Sequence, residues 1–209
     1  MESLSTGIKG LDTLMDGGFP KGKSILVTGP PGSGKTVLGI HFLHKSCKEG
    51  KKCILILTRE LTEDIFSQSR SLNLDLKPFV ERGQLSIKNI FEDKMNKIKS
   101  VSKFGKGLCA VDTDIIEYIS SLSSKVDVMV IDNIGVIAIN HDIRDFADEF
   151  NSINIILLKN GCTSLFIMDE DSYNLTHRLT GYMVFGLIRL TSLSILCSRQ
   201  GLLSFFQRN

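Results

Sequence analysis

Residues 24–36 read SILVTGPPGSGKT, and this stretch decides the fold. Ser24-Ile25-Leu26-Val27-Thr28 is a short apolar run with the length of a buried strand. Directly after it come three glycines, Gly29, Gly32 and Gly34, then Lys35-Thr36 and a run with Val37, Leu38, Ile40, Phe42 and Leu43 that suits a helix ending near Gly50. The spacing is G-x-x-x-x-G-K-[ST]. Its small residues let backbone N–H groups wrap phosphate oxygens closely, and the N-terminus of the following helix adds partial positive charge. Gly29, Pro30, Pro31, Gly32, Ser33, Gly34, Lys35 and Thr36 are therefore expected to bind the phosphates of ATP. Lys35 is expected to reach the β- and γ-phosphates, and the Thr36 hydroxyl to ligate Mg²⁺. A chance glycine-rich turn fits less well, because the match sits at a strand-to-helix junction.

Outward from the loop, apolar runs alternate with helical patterns. Lys52 to Thr58 reads as a second strand, about Leu61 to Leu72 as a helix, and Leu85 to Ile90 as a third strand. Asp114 to Leu122 reads as a helix and Asp127-Val128-Met129-Val130-Ile131-Asp132 as a strand. A helix over Asp142 to Leu158 and a strand over Thr163 to Asp169 follow. Three short apolar runs close the chain, Val184 to Leu190, Ser192 to Cys197 and Leu202 to Gln207, read as antiparallel strands at a sheet edge. This order predicts an α/β fold with a mostly parallel sheet covered by helices, in one domain over residues 1–209. Asp132, an acid ending a buried strand, is the second expected contributor to the metal site. The glycine-dense lead-in from Leu4 to Gly22 reads as a structured, turn-rich stretch better than as a helix, and Lys88 to Lys106, with six lysines, as an exposed, mobile connection.

Taken with the loop and Asp132, the lead-in Ser5-Thr6-Gly7-x-x-x-Leu11-Asp12 and Gly17-Gly18-Phe19-Pro20-x-Gly22 resembles the RecA superfamily, specifically single-domain KaiC-like ATPases of the archaeal KaiC-like and RadA-paralogue kind. The resemblance implies a RecA-type P-loop NTPase core, use of ATP with Mg²⁺, and homo-oligomeric rings or filaments with nucleotide between neighbouring subunits. Two departures bear on activity. Where these proteins carry a Glu-Glu pair after the second strand, this chain has Arg59-Glu60, and a guanidinium cannot accept a proton. Glu60 is then the candidate to activate water, displaced by one residue. The family's closing Lys-x-Arg is here Cys197-x-Arg199, leaving Arg199 as the candidate finger toward a neighbour's γ-phosphate. The chain closes at Asn209, so no second repeat is expected.

Composition narrows the remaining classes. A hydrophobic share of 42% and a charged share of 23% suit a globular core, and a net charge of +2 does not by itself point to nucleic acid or a membrane surface. The five cysteines form no C-x-x-C and are read as core residues of a reducing, cytoplasmic protein. Met1 leads into a polar stretch unlike a signal peptide, and no apolar run approaches the roughly 20 residues that span a bilayer.

Weaker features are His41-x-x-His44 as a metal pair and Asn133 as a phosphate sensor. Asp169-Glu170-Asp171 stands where a sensor is usual and reads as solvated acids. For single-stranded DNA, the loop 134–145 with His141 and Arg144, the segment with His177, Arg178 and Tyr182, and the 88–106 lysines are the candidates. The leading expectation is a weakly hydrolytic ATP-binding protein whose nucleotide state controls self-assembly or a regulatory protein partner. The alternative is RadA-like binding of single-stranded DNA in recombination or repair. A small-molecule kinase is a third class, for which no acceptor site can be located.

Overall fold

The structure is a computed structural model and describes residues 2–102, 115–122, 125–139, 142–170, 174–195 and 198–207. The chain begins with β1 (Ser3–Leu4), α1 (Lys9–Leu14) and β2 (Phe19–Pro20), then β3 (Ser24–Gly29) and α2 (Lys35–Lys48). The middle holds β4 (Cys53–Leu57), α3 (Thr62–Ser71), α4 (Lys77–Glu81), β5 (Leu85–Asn89), α5 (Ile90–Ser102) and α6 (Ile115–Ser120). After β6 (Val128–Asp132) and a 3-10 turn over Ile134–Ile139 come α7 (Ile143–Lys159), β7 (Thr163–Asp169), α8 (Asn174–Met183), β8 (Gly186–Ile195) and β9 (Ser198–Gln207).

The main sheet has the order β5-β4-β6-β7-β3-β8-β9, parallel throughout except for the last pair. A parallel sheet needs cover on both faces, and strand alternation provides for it. Ile25 and Val27 of β3, Leu55 and Leu57 of β4, and Val128 and Val130 of β6 pack on one side with Leu38, Phe42 and Leu43 of α2. Leu26, Ile54, Ile56, Met129 and Ile131 point to the other, against Phe146, Phe150, Ile153 and Leu157 of α7. The four–three–four spacing of those α7 residues forms one helical stripe. Asp142 caps α7, its carboxylate accepting from the Arg144 and Asp145 amides at 2.7 and 3.0 Å.

Three expectations change. The lead-in contains a helix, α1, despite its glycines. Asp12 holds it, accepting from the Ser5 hydroxyl at 2.6 Å, the Thr6 amide at 2.7 Å and the Thr6 hydroxyl at 2.6 Å. Thr6 is fully buried, so the Asp12 carboxylate supplies partners that water cannot. The lysine-rich connection is also helical to Ser102, as α5, whose first residue Ile90 is buried in the α7-side core, while residues 103–106 lie outside the described residues. The closing strands differ too. Val184 to Leu190 was expected to pair antiparallel, but β8 runs parallel to β3 and continues through Thr191 to Ile195, and β9 alone is antiparallel. A β-branched threonine suits a strand and does not interrupt one. The stretches after Asp132 and Asp169, expected as loops, carry the 3-10 turn and α8, and α4 had no expectation.

Candidate functional site

Parallel register brings the ends of four strands together. Gly29 lies opposite Asp169, and Leu57 opposite Asp132, so the loops after β3, β4, β6 and β7 open on one edge. They enclose a cleft of about 390 Å³ lined among others by Gly32, Lys35, Thr36, Arg59, Asp132 and Asp169. This is where ligands bind in open α/β sheets, beyond the carboxyl ends of the strands.

Gly32 and Gly34 have positive φ of 77° and 95°, and a Cβ added to either would meet nothing within 4 Å, leaving an open cradle above the loop. The Ser33 hydroxyl oxygen is buried and has no hydrogen-bond partner. The first N–H groups of α2 have no partners within the helix, as at any helix start. Open backbone, an orphaned hydroxyl and a helix N-terminus together fit a phosphate chain. At the floor, Thr36 Oγ1 donates to Asp132 Oδ2 at 2.8 Å, pairing a hydroxyl and a carboxylate 96 residues apart, a donor set suited to Mg²⁺. Burial pushes the Asp132 carboxyl up to about 6, against the lowering effect of the Thr36 hydrogen bond, and Glu60 and Asp169 raise it further. Among the described residues no group of three or more His, Cys, Asp or Glu could hold a metal.

The strand β4 stops at Leu57, so the alternation that would turn Arg59 and Glu60 to opposite sides has ended before them, and both line the cleft. Their segment is pinned from three directions. Thr58 donates its amide to the Asp132 carbonyl at 2.9 Å, and its hydroxyl donates to the Asn133 carbonyl at 2.9 Å and accepts from the Asn133 amide at 2.8 Å. Asn89 Nδ2 donates to the Glu60 carbonyl at 2.9 Å. Partial burial raises the Glu60 carboxyl above its ordinary range, with Asp64 and Asp169 adding to the effect.

Asp169 is not the solvated acid the sequence suggested. Its Oδ1 lies 3.0 Å from Lys35 Nζ, while its Oδ2 accepts from Arg59 Nη1 at 2.7 Å and from Asn133 Nδ2 at 2.9 Å. Lys35, only 6% exposed, also donates to the Gly29 and Pro30 carbonyls at 2.9 and 2.8 Å. Asn133, read as a candidate sensor, lines the cleft, donates to Asp169 and accepts from the Gly135 amide at 2.7 Å. Glu170 is ion-paired with Arg189, and Asp171 lies outside the described residues.

A family model for "ATPase: KaiC" matches residues 4–199, nearly the whole chain. The chain belongs to the KaiC ATPase family. The chain is similar to UPF0273 protein PH0284 of Pyrococcus horikoshii, 28% identical over 169 residues that cover 78% of this chain and 67% of that protein. It is also similar to the circadian clock oscillator protein KaiC of Parathermosynechococcus lividus, 35% identical over 117 residues. That match takes in 53% of this chain but 22% of the clock protein. In fold it matches a solved KaiC-like protein, PH0186 of P. horikoshii, with a TM-score of 0.74 and 22% identity over 99% of this chain and 88% of that one. The RecA-type core expected from the lead-in and loop is the fold observed.

Arg199 lies in the backbone of β9, opposite Ser194 of β8, and Cys197 lies outside the described residues. His44 packs edge-on against Phe79 at 5.5 Å, and burial lowers the pKa of both His41 and His44, as for core-edge histidines. After Asp132 the chain forms the 3-10 turn with Ile134 and Ile137 buried, and His141 lies outside the described residues. Arg178 and Tyr182 are exposed on α8. Lys88 is paired with Asp93 at 2.6 Å and sits over the Tyr118 ring. Cys47, Cys53 and Cys162 are free and buried, and burial pushes the Cys162 thiol up to about 12. No helix among the described residues is long and apolar enough to cross a membrane.

Proposed function

We propose that this chain is a cytoplasmic, ATP- and Mg²⁺-binding KaiC-family protein with slow hydrolysis, in which nucleotide state governs self-assembly or engagement of a protein partner. Residues 1–209 act as one nucleotide-binding unit. The observation that carries the reading is the Thr36–Asp132 pair beneath an open glycine loop, beside an arginine where the family places an acid. Gly29 to Lys35 hold the phosphates, and Thr36 and Asp132 hold the cation. The bound Mg²⁺ supplies charge neutralisation for the phosphate oxygens. Of Arg59 and Glu60, Glu60 alone can take a proton from water, and its raised pKa favours that role. Arg59 cannot, which removes a general-base contribution of roughly 10²- to 10⁴-fold unless Glu60 restores it. We assign Arg199, in the backbone of the edge strand β9, the role of a finger toward a neighbouring subunit's γ-phosphate.

Steady-state phosphate release tests the catalytic part. The expected turnover is at least about 100-fold below the roughly 10 s⁻¹ typical of enzymes, with a further drop in Glu60→Gln. Turnover near that typical value, abolished by Glu60→Gln, would make Glu60 a fully effective base and overturn slow hydrolysis.

A further inference from the structure

Asp169 and Arg59 are absorbed by neither the family resemblance nor the metal site, yet both face the loop. One carboxylate bridges two cations: Lys35 on Oδ1 and Arg59 on Oδ2, with Asn133 holding the second oxygen in place. The Asp169 side chain is 21% exposed and that of Arg59 45% exposed, so the arginine is free to swing on its stem while the acid is held. A terminal phosphate offers a guanidinium the same paired oxygens as a carboxylate, with more charge. Such a group entering the cleft must take Lys35 from Asp169, and in doing so it approaches the other oxygen's partner.

From this geometry we infer that Arg59 is a γ-phosphate ligand supplied by the same subunit, held by Asp169 until a triphosphate displaces the carboxylate. The inference rests on the ATP-binding reading and deepens it: the site selects nucleoside triphosphate over diphosphate. Lys35 serves both nucleotides, because it reaches the β-phosphate as well. Arg59 serves the triphosphate alone. The substitution of arginine for the family's acid thus exchanges a base for a discriminating cation. Asp169 sets the threshold for both nucleotides, because either must draw Lys35 away from it.

Titration calorimetry with Mg²⁺-ATP and Mg²⁺-ADP separates the roles. Removing Arg59 alone is ambiguous, since the freed Asp169 charge would itself repel phosphate, so the decisive comparison is made in the neutral Asp169→Asn background. Asp169→Asn should bind both nucleotides more tightly than the unaltered protein; weaker binding of both would make Asp169 a direct participant in nucleotide binding and overturn its holding role. Adding Arg59→Gln to Asp169→Asn should weaken ATP by about 10- to 100-fold, the worth of one charge-assisted hydrogen bond, and ADP by less than about threefold. Equal effects on ATP and ADP, or none, would reduce Arg59 to a counter-ion for Asp169 and overturn the proposal. Lys35→Ala tests the underlying reading separately: if it binds both nucleotides as the unaltered protein does, the loop is not the site. A melting curve on each variant confirms that it is folded.

Discussion

Replacing Asp12 by alanine should cost this protein about 2–4 kcal/mol, although the residue lies far from the phosphate loop in function and only at the start of the chain. The Asp12 carboxylate accepts three hydrogen bonds of 2.6 to 2.7 Å, from Ser5 Oγ, Thr6 N and Thr6 Oγ1. Ser5 is half-buried, and its hydroxyl can turn to water at little cost. Thr6 is wholly buried. Its amide loses its partner outright, and its hydroxyl, which still accepts from the Ile8 amide at 3.2 Å, is left to donate to the Ile8 carbonyl at 3.4 Å. An orphaned buried donor costs about 1–3 kcal/mol, and the weakened hydroxyl and lost Ser5 bond add about another 1 kcal/mol. For a chain of this size each kcal/mol lowers Tm by about 2–4 °C, so a fall of about 5–15 °C is expected. Urea denaturation gives the free energy, with Asp12→Asn as the control: an amide oxygen still accepts from Thr6, and the loss should be under half that of alanine. A loss below about 1 kcal/mol for alanine, or equal losses for the two variants, would refute the view that this carboxylate organises the lead-in.

Asp132→Asn should stabilise the protein when neither metal nor nucleotide is added. Burial holds the folded carboxyl up at about 6 against 3.8 for an ordinary aspartate in the unfolded chain, so the folded chain retains a proton that the unfolded chain releases between them. The penalty for burying the charge is absent below about pH 4, grows through that window and is complete above about pH 6. The amide should therefore gain about 1–3 kcal/mol at pH 7.5 and almost nothing at pH 4 by urea denaturation, whereas an equal gain at both would contradict the assignment. Gly18→Ala should destabilise by about 2–5 kcal/mol, because φ is +118° and the added Cβ would stand 2.1 Å from the Leu4 carbonyl oxygen, forcing β1 off β2. A melting point within about 2 °C of the parent would show that the lead-in yields without cost.

Local pattern carried the parts of this fold that local physics determines. The strand Thr163–Asp169 ends where the apolar run ends, and the loop from Gly29 to Thr36 sits between the strand and helix that its spacing demands. The lysines of 88–106 suggested an exposed connection, but lysine is a good helix former, and α5 carries an apolar anchor in Ile90. Glycine density hid α1 in the same way, because what holds that helix is a side-chain acceptor rather than propensity. The Asp169 cluster could not be read locally at all. Arg59 and Asp169 are 110 residues apart in sequence and meet because β4 and β7 flank β6 in register. Strand alternation would turn Arg59 and Glu60 to opposite sides, but the strand ends two residues before Arg59. Asn89, which helps fix that segment, carried no signal beyond being a polar residue at a strand end, and Asn133 was legible only as a candidate sensor.

The central claim, that Gly29 to Thr36 hold ATP, is tested most directly by melting the protein with and without Mg²⁺-ATP and repeating the pair on Lys35→Ala. At about 100 times the dissociation constant the ligand should add about 2.7 kcal/mol, raising Tm by several degrees in the unaltered protein. The shift should vanish in Lys35→Ala. A shift of the same size in both would contradict the account.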